Sequence, residues 1–222
     1  MPDDIENQAK NILNHGVGDV IPFNDDILDD ARRAFHCFKE GWQKMKALRD
    51  LYNLCHAAGL VDKYLEITQD ARTVPELVPF KTDVLFLAGS ICEDDFRYDQ
   101  ALEYYLRCME FDTDDNWIRY NRAVNVAFCY LMKGDPFKAK QHCEAAIIID
   151  PENWLAWKNL GMAFEGLDNV REAANCYARA IKISRGNIGS VIYLRELIKR
   201  HAEQIKDLDR LRNELSEKGV LV

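Results

Sequence analysis

The stretch from Trp154 to Arg185 most constrains how this chain can fold. Trp157, Leu160, Gly161 and Phe164 stand at i, i+3, i+4 and i+7, one face of a first helix. Ala173, Tyr177 and Ala180 then share one face of a second helix. Gly161 and Ala173 are small, so the two helices can approach closely while the aromatic residues fill the gaps beside them. Asp168 falls in the turn and is expected to cap the second helix. Parts of the pattern recur: Ala139 precedes Ala173, and Asn125 precedes Asn159, by 34 residues. Helical hairpins repeated at such a period bury their apolar faces by stacking on one another.

The order W-x2-L-G-x2-Y…A-x3-F, read here through Trp157, Leu160, Gly161, Phe164, Ala173 and Tyr177, resembles the tetratricopeptide repeat (TPR) family. The resemblance implies an all-α, TPR-type helical-hairpin solenoid with three recognisable repeats and atypical helices at both ends. The first repeat covers about Thr82 to Thr113. Gly89 takes the glycine place, Leu85 that of the tryptophan, and Ala101, Tyr105 and Cys108 the second-helix face, with Cys92 replacing the first-helix aromatic residue. The second runs from about Trp117 to Asp150, with Ala127 and Tyr130 on its first helix and Ala139, Cys143 and Ala146 on its second. Asp135-Pro136 and Asp150-Pro151 each read as an N-cap followed by proline in the first helical position. Ala101 lies 38 residues before Ala139, four more than the period. Four residues make about one helical turn. The spacing therefore predicts a first helix in the second repeat that starts a turn early, near Asp115. A loop insertion is the alternative.

Four segments follow from this reading. Residues 1–25 form an N-terminal arm, and 26–80 a helical pair that is a cap or a degenerate repeat. Residues 81–187 hold the three repeats, and 188–222 two capping helices. In the pair, apolar positions from Ala31 to Cys55 recur at three- and four-residue steps, Asn24 or Asp25 is the expected cap and Gly59 the stop. At the other end Gly186 closes a helix, and helices are expected over 188–200 and 202–218, leaving the apolar tail Val220-Leu221-Val222.

Composition removes several function classes. No run approaches the ~18 apolar residues of a membrane span, and the acidic start MPDDIENQAK does not read as a secretory signal. The seven Cys show no CxxC pair and no regular spacing with His, which points to reduced thiols in a cytoplasmic protein. The net charge of −8 argues against nucleic acid as a partner. Ten acids and three bases between Lys81 and Asp115 hold most of that charge. They read as a solvated face with caps, or as an acidic patch steering a basic partner. Glu93-Asp94-Asp95 falls at a turn and reads as turn and cap residues. No nucleophile elbow, phosphate loop, HExxH or dinucleotide fingerprint is present, and neither a catalytic residue, a metal site nor a cofactor is expected.

What remains is a binding surface. In the family, first helices line a groove that holds an extended peptide or a helix. By the period, the groove-lining positions are Phe86, Leu87, Ser90 and Asp83 in the first repeat. They are Asn121, Val124, Asn125, Phe128 and Met132 in the second, and Leu155, Lys158, Asn159 and Met162 in the third. One TPR subtype grips acidic C-termini through Lys, Asn and Arg. Here only Asn125 matches, with Phe86, Ser90, Leu155 and Asn159 in the other places, so that assignment is rejected. The expectation is a non-catalytic protein–protein interaction module, whether adaptor, scaffold or chaperone-like, that binds a peptide segment of a partner. The alternative is a structural protein forming a homo-oligomer through its terminal segments.

Overall fold

The computed structural model describes residues 40–72, 77, 80–111, 113–186 and 188–201. Every regular element among them is a helix. The chain divides into two compact units, the first ending at Phe111 and the second beginning directly after it. The first unit holds α1 (Gly41–Ala57), α2 (Val61–Ala71), α3 (Lys81–Asp94) and α4 (Tyr98–Met109). The second holds α5 (Asn116–Met132), α6 (Pro136–Ile149), α7 (Trp154–Gly166), α8 (Val170–Ser184) and α9 (Ile188–Arg200). The N-terminal arm, the start of the first long helix with its expected cap, the helix over 202–218 and the apolar tail lie outside the described residues.

One turn joins every hairpin. α1–α2, α3–α4, α5–α6 and α7–α8 are each linked by three residues, and the middle one is left-handed. These middle residues are Gly59, Phe96, Gly134 and Asp168, with φ of 69°, 61°, 74° and 56°. The third turn residue returns its N–H to a carbonyl five positions back, as Leu60 to Cys55, Arg97 to Cys92, Asp135 to Tyr130 and Asn169 to Phe164, at 2.8–2.9 Å. This is the Schellman closure, which satisfies carbonyls that a helix end leaves orphaned. The α1–α2 pair, which carries no small-residue signature, shares this turn.

The backbone requires helix pairs to approach closely, and side-chain volumes are matched to it. A Cβ on Gly161 would lie 2.5 Å from Tyr177 Cε1, and one on Gly89 would lie 2.6 Å from Tyr105 Cε1. The second repeat has Ala127 and Cys143 in the same two places, both fully buried. The larger first-helix residue there meets a smaller second-helix one. In α1–α2 the corresponding places hold Tyr52 and Thr68, while Tyr64 stands where the other hairpins have Ala101, Ala139 or Ala173. Tyr64 is fully buried, and its hydroxyl donates to the Leu48 carbonyl at 3.0 Å.

The four-residue excess is helical. α5 has 17 residues and α7 has 13, and the two end in equivalent positions. Asp115 caps α5, its side chain accepting from the Trp117 and Ile118 amides at 2.8 and 3.2 Å. Other caps differ from expectation. Asp135-Pro136 behaves as foreseen, with Asp135 accepting from the Lys138 amide at 3.0 Å. Asp150 instead accepts from Glu152 N inside a turn, and α7 begins at Trp154 with Asn153 as its cap. The cap of α8 is Asn169 rather than Asp168, because Asp168 occupies the left-handed turn position, where its side chain is not the one bonded to the helix. α9 lies 34 residues after α7 with the same 13-residue length, and it packs on α8 as α7 packs on α6. It continues the register of a first helix.

Matched volumes give a direct test. Gly161→Ala is expected to cost about 1–3 kcal/mol by overpacking Tyr177. Tyr177→Cys removes a buried ring and costs about 3–5 kcal/mol. The double variant, which copies the Ala127/Cys143 pair, should cost less than the two singles together by about 1 kcal/mol or more. Urea unfolding of the four proteins measures this. Strict additivity would separate Gly161 from Tyr177 energetically.

Candidate functional site

In the second unit the first helices meet along one face. Tyr120 on α5 is buried and its hydroxyl accepts from the Ala156 amide at 3.1 Å, fixing the start of α7 against α5. Further along, Lys158 Nζ lies 5.9 Å from the centroid of the Phe128 ring and 5.9 Å from that of Tyr193. One ammonium thus bridges aromatic residues from α5 and α9, a contact worth about 0.5–2 kcal/mol per ring depending on desolvation. Asn125, Leu155 and Met162 are half-buried on these helices, and Met132 is exposed at the end of α5. Met162 packs against the core cluster that contains Tyr177, Leu194 and Leu197.

Three of the expected lining residues stand differently. Val124 belongs to the buried cluster of Tyr120, Ala123, Ala146 and Ala156. Asn121 turns its amide back onto its own helix, Nδ2 donating to the Trp117 carbonyl at 2.7 Å. Asn159 was expected outside the core, yet it is 1% exposed. Its Oδ1 is buried with no hydrogen-bond partner among the described residues. A buried acceptor left unpaired costs about 1–3 kcal/mol. Hydrophobic spacing alone cannot foresee this, because it records that a position faces inward but not how far neighbours close over it.

Tyr193 is the residue the sequence reading missed. It lies 34 residues after Asn159, in the place of Asn125 and Asn159 on the next first helix. Its ring stacks on Tyr177 with centroids 5.6 Å apart and planes 20° apart. The Tyr177 hydroxyl donates to Glu165 Oε2 at 3.0 Å, and Glu165 Oε1 pairs with Arg200 at 2.5 Å. Burial and the adjacent Glu165 carboxylate drive the Tyr177 phenol far above its ordinary pKa, keeping it a neutral donor.

The first unit repeats part of this chemistry. Tyr105 is fully buried and its hydroxyl donates to Glu93 Oε2 at 3.0 Å. Phe86 lies against the Tyr105 ring at 5.5 Å. Ser90 faces inward: its hydroxyl donates to the Phe86 carbonyl at 3.0 Å and lies 3.2 Å from the Tyr105 hydroxyl. Leu87 is half-buried beside them in sequence. Glu93 and Asp94 end α3 and Asp95 is its C-cap, as the turn-and-cap reading expects, and all three also receive side chains. Tyr52 donates to Asp94, and Arg97 bonds Asp95 as well as Asp62 of α2. Asp83 lies 3.8 Å from Arg49. Asp83, Glu93 and Asp94 of the acidic run are therefore tied to other helices of their own unit.

Among the described residues, no group of three or more His, Cys, Asp or Glu is placed to hold a metal ion. No described helix is long and apolar enough to cross a membrane. The described cysteines are buried thiols, none of them joined in a disulfide. Burial pushes the Cys55 and Cys176 thiols up to about 12 and Cys92 up to about 11, so they stay protonated and unreactive.

The unpaired Asn159 acceptor predicts a stability gain on its removal. Asn159→Leu keeps the branching at Cγ with some added bulk, abolishes the orphaned oxygen and should raise stability by about 1 kcal/mol. Thermal and urea unfolding measure it, and a loss of more than about 1 kcal/mol would mean that the amide is satisfied in solution.

Comparison with known proteins fits this geometry. The family model described as tetratricopeptide repeat matches residues 82–115 and 156–187. Sperm-associated antigen 1 of Mus musculus is 38% identical over 85 residues, which is 38% of this chain and 9% of that protein. The match therefore spans about a tenth of the relative's length. Among solved structures, MamA 41-end from Desulfovibrio magneticus RS-1 aligns with a TM-score of 0.57 at 15% identity, covering 79% of this chain and 94% of that one. The Sgt2 TPR domain from Aspergillus fumigatus aligns with a TM-score of 0.50 at 21% identity, covering 59% and 83%. At such identities the likeness to solved structures is one of fold.

Proposed function

Because the chain is a tetratricopeptide-repeat protein, we propose that it works as a non-catalytic protein–protein interaction module holding a peptide segment of a partner protein. The observation that carries this reading is the first-helix face of the second unit. There Phe128, Lys158 and Tyr193 come together from three helices. Asn125, Leu155, Met162 and Met132 flank them along the same helices. Apolar surface supplies affinity, and adaptable Met side chains accept more than one sequence. The amides suit a peptide backbone, which offers donors and acceptors on its two sides. The buried Asn159 oxygen costs stability in the free protein, a cost offset if the residues closed over it open on binding and a partner N–H completes it. Phe86, Leu87 and Ser90 belong to the first unit, where they form, in the same proposal, a separate and smaller surface. A cytoplasmic adaptor, scaffold or chaperone-like role accommodates reduced, buried thiols.

The test pairs stability with binding. Asn125→Ala with Asn159→Leu should leave helix content intact and weaken partner binding by about 1–3 kcal/mol, or roughly five- to 150-fold. Affinity capture with wild type and variant side by side, followed by calorimetry on any protein retained only by the wild type, measures it. Equal capture by both would move the binding surface away from this face.

A further inference from the structure

The outward faces of the second helices differ in a way that stacking does not require. At four equivalent positions α8 carries Arg171, Asn175, Arg179 and Lys182, and α4 with its C-cap carries Asp99, Glu103, Arg107 and Glu110. At those positions α6 carries Phe137, Gln141, Ala145 and Ile148, all of them exposed. Phe137 is 62% exposed and Ile148 is 84% exposed. From one to the other this stripe runs about 16 Å along the helix. It lies beside the outward face of α8, since Cys143 of α6 and Cys176 of α8 share one core cluster. An apolar stripe flanked by bases, with Arg179 bonded to Glu152 and Glu172 among them, is left facing water.

A matching surface exists on the same chain. On α4 of the first unit, Asp99, Glu103, Leu106 and Glu110 follow at i, i+4, i+7 and i+11, one exposed stripe of acids around an exposed leucine. Met109 is exposed beside it. We propose that the α6–α8 face of one copy binds the α4 face of a second copy of this chain. The apolar residues supply contact area, and the opposite charges set the partner and register. The basic flank disfavours α6 meeting α6 across a two-fold axis, because like charges would then face each other. The pairing is therefore heterologous: each copy in a pair keeps one face open, and the pair keeps one of each kind, so growth continues past the dimer. These faces differ from the first-helix face proposed for peptide binding, and each reading stands or falls alone.

Sedimentation equilibrium on the full chain tests the proposal. Wild type should gain mass with concentration, and less so at high salt, where exposed charges are screened beyond a few ångströms. Ile148→Asp and the double variant Glu103→Lys/Glu110→Lys should each weaken self-association about tenfold or more. Circular dichroism should show both folded; Ile148→Ser replaces Ile148→Asp if it is not. Mixed in equal amounts, the two variants should form a 1:1 species that grows no further, because one intact face of each kind remains. A wild type that stays monomeric, variants that associate like wild type, or a mixture that stays monomeric would each overturn it.

Discussion

The structure depends on how closely two helices of a hairpin can approach. That approach is set where the ring of Tyr105 or Tyr177 lies over a glycine backbone, so close that a Cβ would intrude at 2.6 or 2.5 Å. The ring fills the space that the missing side chain leaves, giving dense packing without strain. Its hydroxyl then needs a partner, and Glu93 or Glu165 supplies one at 3.0 Å in each case. The second repeat solves the same geometry with Ala127 and Cys143 and carries Leu131 where the others have glutamate. Removing the phenol removes the need for an acceptor. Size and polarity therefore change together between repeats, and the pair, rather than either residue, is the conserved quantity of the packing.

Periodicity made the hairpins legible, because a helix face must repeat at three or four residues and a stacked hairpin at its own length. The extra turn of α5 could be read from a four-residue surplus for the same reason. What resisted reading were choices between neighbours of similar chemistry. Asp168 and Asn169 are both good caps, and only the left-handed turn geometry decides that Asp168 bends the chain while Asn169 caps. Asp150-Pro151 resembles a helix start, yet Asp150 closes a turn and Asn153 begins the helix three residues later. Glu93 reads in sequence as a turn or cap residue, and its distant partner Tyr105 is brought to it only by the fold. The candidate face was read less completely. Phe128, Lys158 and Met162 follow from the repeat, but the burial of Asn159 depends on packing, and Tyr193 lies on a helix read as a cap.

That last point ties stability to the site. Since α9 keeps the register of α7, Tyr193 reaches the position of the two asparagines and meets Lys158 from the far side. It is held there by stacking on Tyr177, the same ring that sets the Gly161 contact. Arg200 at the end of α9 closes the network through Glu165. The residue that spaces α7 from α8 thus also positions the wall that α9 contributes to the face. A change at Gly161 that shifts Tyr177 disturbs the stacking that holds Tyr193 in place. Packing within one hairpin and the shape of the candidate face on its neighbours are therefore one mechanical unit, and the cost of disturbing either appears in both.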